Sequence, residues 1–423
     1  MKSIKLYQVF ILKFINDNPL VTLVVLSIFL KTVQLIGVPV MTTSDTQGYF
    51  TSAISYLEFN KDDFGLRMPL YPFFAYFSSK LSYGTFLIVL IQHFFGVIST
   101  IFIYKLFNLF TNNVYTFGGT VLFLLCPISI FNSYILTESI SISFSVIFFY
   151  FYIKELHKPN YKNILYLSVF LTLMILLRPQ FAFYLVGLVS LPLFSKMYKK
   201  YYLILIIPFV SLIIWMLFVY NYSGHFNITN LMGYNLITHT GKFIEYAEPK
   251  FNFIKNDYII KREENIKSIG YQYFTIYEID DSIKARHGLS TVELSNLLKQ
   301  LSFELIKNYP FEYLKSVWAA IRLSFTIPTF ESVVKSPVLY LTRILLPFYQ
   351  IILGFGLTIT ILYSFLKNNK RYQVLIFYII LTLLSSVLFD CSNNARYFIY
   401  SYPLIFIFVV LGIENLIKNR MQS

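Results

Sequence analysis

The chain has 423 residues, of which 56% are hydrophobic and 13% charged. A soluble globular domain carries about 25% charged residues. The low charge and the mean hydropathy of +0.61 therefore exclude a soluble globular protein and indicate a protein with many membrane spans. The formal net charge of +14 falls mostly in short loops. No basic domain or stripe of the kind that neutralises nucleic-acid phosphates is present.

About ten apolar segments approach the ~20 residues that a helix needs to cross a bilayer. The runs are continuous and lack a period of two, which disfavours a β-barrel and favours an all-α helical bundle. No small-residue cleavage site follows the first segment, so we expect it to remain as an anchor. The predicted spans are residues 19–40, 84–107, 114–132, 135–153, 163–177, 180–195, 202–220, 338–363, 373–389 and 397–415.

Lysine and arginine occur in alternate connections and predict the orientation. By the positive-inside rule these connections face the cytoplasm, so both termini are expected inside. The connections contain Lys2, Lys5, Lys13, Lys105, Lys154, Lys158, Lys162, Lys196, Lys199, Lys200, Lys367, Lys370, Arg371, Lys418 and Arg420. The sequence then divides into an N-terminal transmembrane module with a first extracytoplasmic loop, an extracytoplasmic insert and C-terminal helices, at residues 1–220 (loop 41–83), 221–337 and 338–423.

The insert has nearly balanced charge, and we expect a mixed or helical domain there. Ser290-Thr291-Val292-Glu293 resembles a capping box, which begins a helix. Leucines at helical spacing follow, and Asn308-Tyr309-Pro310 should end that helix before another starts. The leucines either pack inside the insert or lie on the membrane surface.

Charged residues beside the spans are the candidates for function. An ionisable group in hydrocarbon costs about 2.5 to 3.5 kcal/mol, so such groups usually face a cavity. Seven of them share the extracytoplasmic ends of predicted spans, as residues of one cavity would; interfacial snorkelling and ion pairs between helices are the alternative. They are Asp45, Arg67, Glu138, Arg178, Arg343, Asp390 and Arg396. Lys31 lies within the first span and has no assigned role.

This mixture of acids and guanidinium groups suits a particular chemistry. Arginine presents a rigid fork that matches phosphate oxygens, and a carboxylate can act as a general base towards a hydroxyl group. A phosphorylated lipid leaving group and a hydroxyl acceptor would use both. The head group of such a lipid would lie at the membrane surface, where Arg67, Arg178 and Arg396 are expected.

Short motifs occur in order along the predicted extracytoplasmic side. They are Ser44-Asp45-Thr46-Gln47-Gly48-Tyr49, Arg67-Met68-Pro69-Leu70-Tyr71-Pro72, Thr137-Glu138-Ser139, Arg178-Pro179, Asn308-Tyr309-Pro310-Phe311-Glu312-Tyr313-Leu314 and Ala395-Arg396-Tyr397. Their order resembles the GT-C superfamily of integral-membrane glycosyltransferases, which includes aminoarabinose transferases and protein O-mannosyltransferases. The resemblance covers residues 41 to 415.

The resemblance implies transfer of a sugar from a polyprenyl-phosphate donor to an acceptor hydroxyl on a lipid, glycan or protein, with inversion. Asp45 would be the base, and the phosphate would leave towards Arg67, helped by Arg178 or Arg396. Glu138 and Asp390 would orient the arginines or the sugar, and the tyrosines of the motifs would support the site, namely Tyr49, Tyr71 and Tyr397.

Metal and cofactor signals are weak. The first loop has one aspartate in Asp45-Thr46-Gln47 rather than Asp-x-Asp, so a metal-bridged sugar diphosphate is not indicated, although a divalent metal is not excluded. The five histidines lack metal-ligand spacing, and Cys126 and Cys391 form no Cys-x-x-Cys. Burial of these cysteines is favoured over a disulfide. No cofactor is expected.

Two rival functions share the membrane location. A capsule- or O-antigen-type polysaccharide polymerase or ligase would use lipid-diphosphate donors. A transporter or flippase for lipid-linked sugars would place charges near the midplane and show repeats between its halves. Here the charges cluster at one surface without such a repeat, which favours a glycosyltransferase. The Lys, Ile, Asn and Phe bias suggests a bacterial cytoplasmic membrane, with the active site extracytoplasmic.

Overall fold

The computed structural model describes residues 17–81, 83–194, 203–270, 272–326, 336–366, 369–392 and 394–422. These residues form eighteen α-helices joined by loops and short 3₁₀ turns. The first nine are α1 (Pro19–Gly37), α2 (Ser44–Glu58), α3 (Leu70–Ser79), α4 (Gly84–Phe107), α5 (Asn113–Leu124), α6 (Glu138–His157), α7 (Tyr161–Leu177), α8 (Tyr184–Phe194) and α9 (Ile206–Ser223).

The second half of the chain contains five helices of the insert and four that follow it. They are α10 (Met232–Thr240), α11 (Asn252–Ile269), α12 (Thr275–His287), α13 (Thr291–Asn308), α14 (Pro310–Ser324), α15 (Pro337–Leu366), α16 (Lys370–Val387), α17 (Asn394–Phe398) and α18 (Tyr402–Gln422). The all-α polytopic class predicted from the sequence is confirmed.

The ten predicted spans all coincide with helices where the structure describes them. Within the described ranges, seven helices are long and apolar enough to cross a membrane, or eight if a bent pair counts as one span. The bent pair is the predicted span 114–132, which turns by 54° where Pro127 starts a 3₁₀ turn. The predicted spans 163–177 and 180–195 are shorter helices, divided at Arg178-Pro179 because proline cannot donate the backbone hydrogen bond that would continue α7.

Two helices pass through the centre of the bundle. In the apolar windows of α6 and of the segment Asn394–Asn419, 83% and 89% of residues are buried, against 22% in α1. The interior face of α6 is rich in serine, and such small side chains let neighbouring helices approach closely. Ser143 Oγ donates to the Ser139 carbonyl one turn earlier at 3.1 Å, whereas Ser139 Oγ donates to Asn132 in the 3₁₀ turn that precedes the helix. Both cysteines are buried and neither forms a disulfide.

The predicted start and end of the helix α13 are confirmed. Glu293 donates its backbone N–H to Ser290 Oγ at 3.2 Å, while Ser290 donates its own to Glu293 Oε2 at 2.8 Å, so the capping box is closed. The helix ends at Asn308 and α14 begins at Pro310. The leucines of α13 pack with residues of α10 to α12 in a core that belongs to the insert, and they are Leu294, Leu298, Leu301 and Leu305. In α14, by contrast, Phe311, Leu314 and Trp318 are exposed.

Hydrogen bonds fasten the insert to the first loop. Asn230 donates from its side chain to the Phe64 carbonyl at 2.7 Å, and Thr229 Oγ1 donates to the Leu66 carbonyl at 2.8 Å. A further bond of 3.2 Å runs from the Val292 N–H to the Asp62 carbonyl. The loop that carries Arg67 is therefore held between the spans and the insert.

Some sequence-based expectations remain predictions. The domain limits at 220 and 337, the sidedness of the membrane and the cytoplasmic location of the termini are among them. Several of the lysines that predicted this orientation, namely Lys2, Lys5, Lys13, Lys196, Lys199, Lys200 and Lys367, lie outside the described residues.

Candidate active site

The backbone of the first loop is tied to the segment that precedes α6. Met41 donates its N–H to the Ser133 carbonyl at 2.9 Å, and Ile135 donates to the Met41 carbonyl at 3.0 Å. Thr46 Oγ1, at the start of α2, accepts from the Thr43 N–H at 2.9 Å and donates to the Ile135 carbonyl at 3.1 Å. The first turn of α2 is thus held beside the start of α6. A carboxylate in that turn is favoured by the helix dipole.

The carboxylate of Asp45, in this first turn, contacts two guanidinium groups. Arg67 Nη2 lies 2.8 Å from one oxygen, and Arg396 Nη2 lies 3.1 Å from the other. Gly48, one turn further along α2, leaves space for Arg67, because a Cβ at this position would lie 3.3 Å from its Nη2 atom. The Arg67 guanidinium also lies 5.3 Å from the centre of the Tyr49 ring, a cation–π distance.

The second acid of the site, Glu138, begins α6 and is fully buried. Its Oε1 atom lies 2.6 Å from Arg396 Nη2 and 3.0 Å from Arg178 Nη1. Positive and negative groups therefore alternate, each within ion-pair distance of the next. This ion-pair chain runs in the order Arg67, Asp45, Arg396, Glu138 and Arg178.

Aromatic residues surround Arg178 at one end of the ion-pair chain. Its Nη1 donates to Tyr400 Oη at 2.5 Å, and its guanidinium lies 4.9 Å from the centre of the Tyr397 ring. Sequence reasoning singled out Tyr397 and missed Tyr400. The available signal was the spacing of four residues from Arg396, which would place Tyr400 on the same side of a helix.

Tyr49 and Tyr71 contribute by packing. Their rings meet edge to face, with centres 4.7 Å apart. Tyr71 Oη donates to Gln92 Oε1 at 2.8 Å, and Gln92 in turn donates to the backbone carbonyls of Asn132 and Tyr134. Tyr71 therefore supports Tyr49, whose ring carries the Arg67 guanidinium.

The structure does not bring Asp390 into the ion-pair chain. Its Oδ1 atom accepts from Thr238 Oγ1 at 3.1 Å, from the Ser392 N–H at 2.9 Å and from Ser392 Oγ at 2.7 Å. No ion pair joins it to an arginine among the described residues. Asp390 thus attaches α10 of the insert to the loop before α17, which carries Arg396. The remaining candidate, Arg343, lies in α15, within electrostatic range of Tyr134.

The charges fix the ionisation of Asp45. Burial alone would raise the pKa of Asp45, but the guanidinium groups of Arg67 and Arg396 outweigh burial and hold that pKa well below its usual range. For Arg67, burial would lower the pKa, and the charge of Asp45 raises it further than burial lowers it. Both groups are therefore charged at neutral pH.

Residues that could hold a metal are few. Within the described ranges, no three histidine, cysteine, aspartate or glutamate side chains come together as ligands for a metal ion. The two acids of the ion-pair chain, Asp45 and Glu138, are separated by the Arg396 guanidinium that bridges them.

No protein-family model matches the sequence, and no curated protein matches it. Solved structures do. The oligosaccharyltransferase of Archaeoglobus fulgidus, tethered with an acceptor peptide containing the NVT sequon, has a TM-score of 0.52 over 97% of this chain at 12% identity. Its apo form has a TM-score of 0.50 over 96% at 13% identity. The chain thus has the fold of this archaeal oligosaccharyltransferase.

This shared fold agrees with the resemblance found in the sequence motifs. The chain spans about half of the length of the archaeal structures that it matches, 51% and 52%. At such low identity the likeness establishes the architecture alone. The activity has to be argued from the residues of the ion-pair chain.

Proposed function

We propose that the protein is a membrane glycosyltransferase that moves a sugar from a polyprenyl-phosphate donor to an acceptor hydroxyl, with inversion at the anomeric carbon. The observation that carries the proposal is the pairing of Asp45 with Arg67. Their side chains are 26% and 30% exposed. A base and a phosphate-binding fork thus lie side by side where a substrate can reach both.

Exposure separates the two acids by role. Glu138 has no exposed side-chain surface and holds two guanidinium groups, so it positions them. Asp45 is the acid of the ion-pair chain that can contact an acceptor. The exposures of Arg67, Arg396 and Arg178 decrease in that order, from 30% to 18% to 12%. We therefore place the phosphate on Arg67 first, with Arg396 and Arg178 behind it.

In the proposed reaction the Asp45 carboxylate accepts the proton of the acceptor hydroxyl. The acceptor oxygen forms a bond to the anomeric carbon while the bond from that carbon to the phosphate oxygen breaks. Both electrons of the broken bond go to the phosphate, which leaves as polyprenyl phosphate. Attack opposite the leaving group inverts the configuration. Preorganised cations that stabilise the departing phosphate are expected to be the larger catalytic contribution.

Donor binding would also tune the base. A carboxylate with a strongly depressed pKa is a weak base, because efficient proton transfer requires a pKa nearer the working pH. When a phosphate shares the charge of Arg67, less of that charge acts on Asp45, and the pKa of Asp45 rises. The base would thus be activated only when the donor is in place.

Location and acceptor are further parts of the proposal. We place the site on the extracytoplasmic face of a bacterial cytoplasmic membrane, with both termini in the cytoplasm. The acceptor is a lipid, glycan or protein. A protein acceptor is supported by the archaeal neighbour of the same fold, which was solved with an acceptor peptide.

The test is a transfer assay with the purified protein in lipid nanodiscs. A polyprenyl-phosphate sugar with a labelled sugar is incubated with a cell-envelope acceptor fraction, with and without a metal chelator. We expect the label in the acceptor and polyprenyl phosphate as the second product, in both conditions. A parallel reaction supplies a lipid-diphosphate sugar instead. Transfer from that donor but not from the polyprenyl-phosphate sugar would identify a polymerase or ligase. Movement of the intact donor between bilayer leaflets of vesicles, without transfer, would identify a transporter.

A further inference from the structure

The helix α1 carries three buried polar residues in a largely apolar span. Ser27, Lys31 and Gln34 are spaced by four and three residues, which places them on one face. That face turns inwards, while Ile28 and Phe29 are exposed on the other side. The sequence singled out Lys31 without assigning it a role.

Two of the three polar residues have partners in neighbouring elements. Ser27 Oγ lies 2.9 Å from Thr100 Oγ1 of α4. Gln34 Nε2 donates to the Ser129 carbonyl at 2.8 Å and to Ser133 Oγ at 3.2 Å, in the 3₁₀ turn before α6. Lys31 lies between them, is 8% exposed, and forms no ion pair or hydrogen bond among the described residues.

Instead, the Lys31 side chain lines a small cavity between α1, α4, α5, the 3₁₀ turn and α6. The side chain reaches it across Gly96, where a Cβ would lie 3.0 Å from the Lys31 Cε atom and 3.4 Å from Asn132 Nδ2. A side chain at position 96 would press on Lys31, which would have to shift. The cavity has a volume of about 40 Å³, enough for about three groups of the size of water.

The groups around the cavity are suited to a negative charge. Its polar lining includes Ser99, Asn132 and Ser143 beside the lysine, and no acidic residue lines it. Asn132 donates one amide hydrogen to the Ser129 carbonyl at 2.9 Å, and its second amide hydrogen can be donated to a ligand. An ammonium group in such a place is costly unless it is paired.

We propose that this cavity binds a small monovalent anion of the size of chloride, held by the Lys31 ammonium and by the Asn132 and Ser99 donors. The small volume and the apolar part of the lining, which includes Phe123, Leu124 and Ile142, suit a weakly hydrated halide better than a phosphate. The anion would connect α1 to the start of α6, because Ser139, also in the lining, donates to Asn132. The site is separate from the proposed catalytic residues and does not depend on the proposed function.

The experiment compares thermal unfolding of the detergent-solubilised protein in sodium chloride and in sodium gluconate at constant ionic strength. We expect the wild-type Tm to rise with chloride by about 2 °C for each tenfold increase above the Kd, because the anion binds the folded state. Lys31→Met should abolish this dependence. Lys105→Met, which removes an exposed lysine at the other end of α4, should keep it.

Chloride at the partly exposed arginines of the ion-pair chain would stabilise the wild type and Lys31→Met equally, and that result would overturn the proposal. A wild-type Tm that does not change with the chloride concentration would also overturn the proposal. Crystals of the wild type grown in sodium bromide give a second readout that needs no variant. We expect an anomalous peak beside Lys31 Nζ, and a cavity that holds only water would contradict the anion site.

Discussion

The guanidinium of Arg396 lies 3.1 Å from the carboxylate of Asp45, although 351 residues separate them in the chain. The same guanidinium lies 2.6 Å from Glu138 at the start of α6. A late helix therefore closes the site that the first loop opens. Each charge in the ion-pair chain depends on its neighbours, so loss of one member should alter the others.

Glu138→Gln should destabilise the protein. The substitution removes the buried negative charge between Arg178 and Arg396, and breaking a buried ion pair from one side costs roughly 3 to 5 kcal/mol. Thermal unfolding in detergent measures the effect. Glu312→Gln is the control, because Glu312 pairs with the exposed Lys315 in the insert and exposed pairs contribute about 0 to 1 kcal/mol. Equal unfolding temperatures for the two variants would contradict the role given to Glu138.

Arg67→Gln should lower kcat/KM for the polyprenyl-phosphate donor by about 10²- to 10³-fold, the usual cost of removing one preorganised donor to a developing charge. Arg67→Lys should fall between this variant and the wild type, since lysine keeps the charge but lacks the fork. Arg286→Gln removes an exposed arginine of the insert and should leave the rate unchanged. A normal rate in Arg67→Gln would exclude the phosphate-binding role.

The pH profile of the same variant provides a second readout. In the wild type Asp45 has a depressed pKa, so its base form is fully populated from neutral pH down to mildly acidic pH. Removal of the Arg67 charge raises that pKa, and the acid limb of kcat/KM, which reports the free enzyme, should move to higher pH in Arg67→Gln. Superimposable limbs would mean that Asp45 is not the titrating base.

His239 should make the insert sensitive to acid. Burial, with a contribution from the charge of Lys242, lowers the pKa of His239 to about 3, and its Nδ1 lies 2.8 Å from Ser316 Oγ. The unfolded chain takes up a proton at this histidine near pH 6.5, whereas the folded chain does so only near pH 3. The free energy of unfolding is therefore unaffected by this group above pH 6.5 and falls between pH 6.5 and pH 3, by up to about 1.4 kcal/mol per pH unit.

Thermal unfolding between pH 7.5 and 4 checks the prediction about His239. His239→Asn should be less stable than the wild type at pH 7.5 but lose less stability on acidification. His287→Asn, at an exposed position of the insert, should follow the wild type. Parallel curves for the wild type and His239→Asn would show that protonation of this histidine does not control the transition.

Charge in an apolar context was a sufficient signal for much of the site. A lone aspartate or arginine beside a span is conspicuous in so hydrophobic a chain, and topology alone assigned Asp45, Arg67 and Arg396 to one membrane side. The contacts between these side chains could not be predicted, because they depend on the backbone hydrogen bonds of Met41 and Ile135, which join the first loop to the segment before α6.

Polar contacts between elements that are distant in the chain could not be predicted from the sequence. Asp390 has its partner Thr238 in the insert, where no motif marked it. The stripe of Ser27, Lys31 and Gln34 was readable from helical spacing, but its partners lie on α4 and on the 3₁₀ turn. That turn exists because Pro127 bends what reads as one continuous apolar span.

The most direct test of the central claim is the transfer rate of Asp45→Asn in the nanodisc assay. Asparagine keeps the size of the side chain but cannot take the proton of the acceptor, so transfer should fall by at least about 10² to 10⁴, with the protein folded and inserted in the membrane. Asp62→Asn, in the exposed part of the same loop, should transfer at the wild-type rate. Wild-type turnover by Asp45→Asn would contradict the assignment of the base.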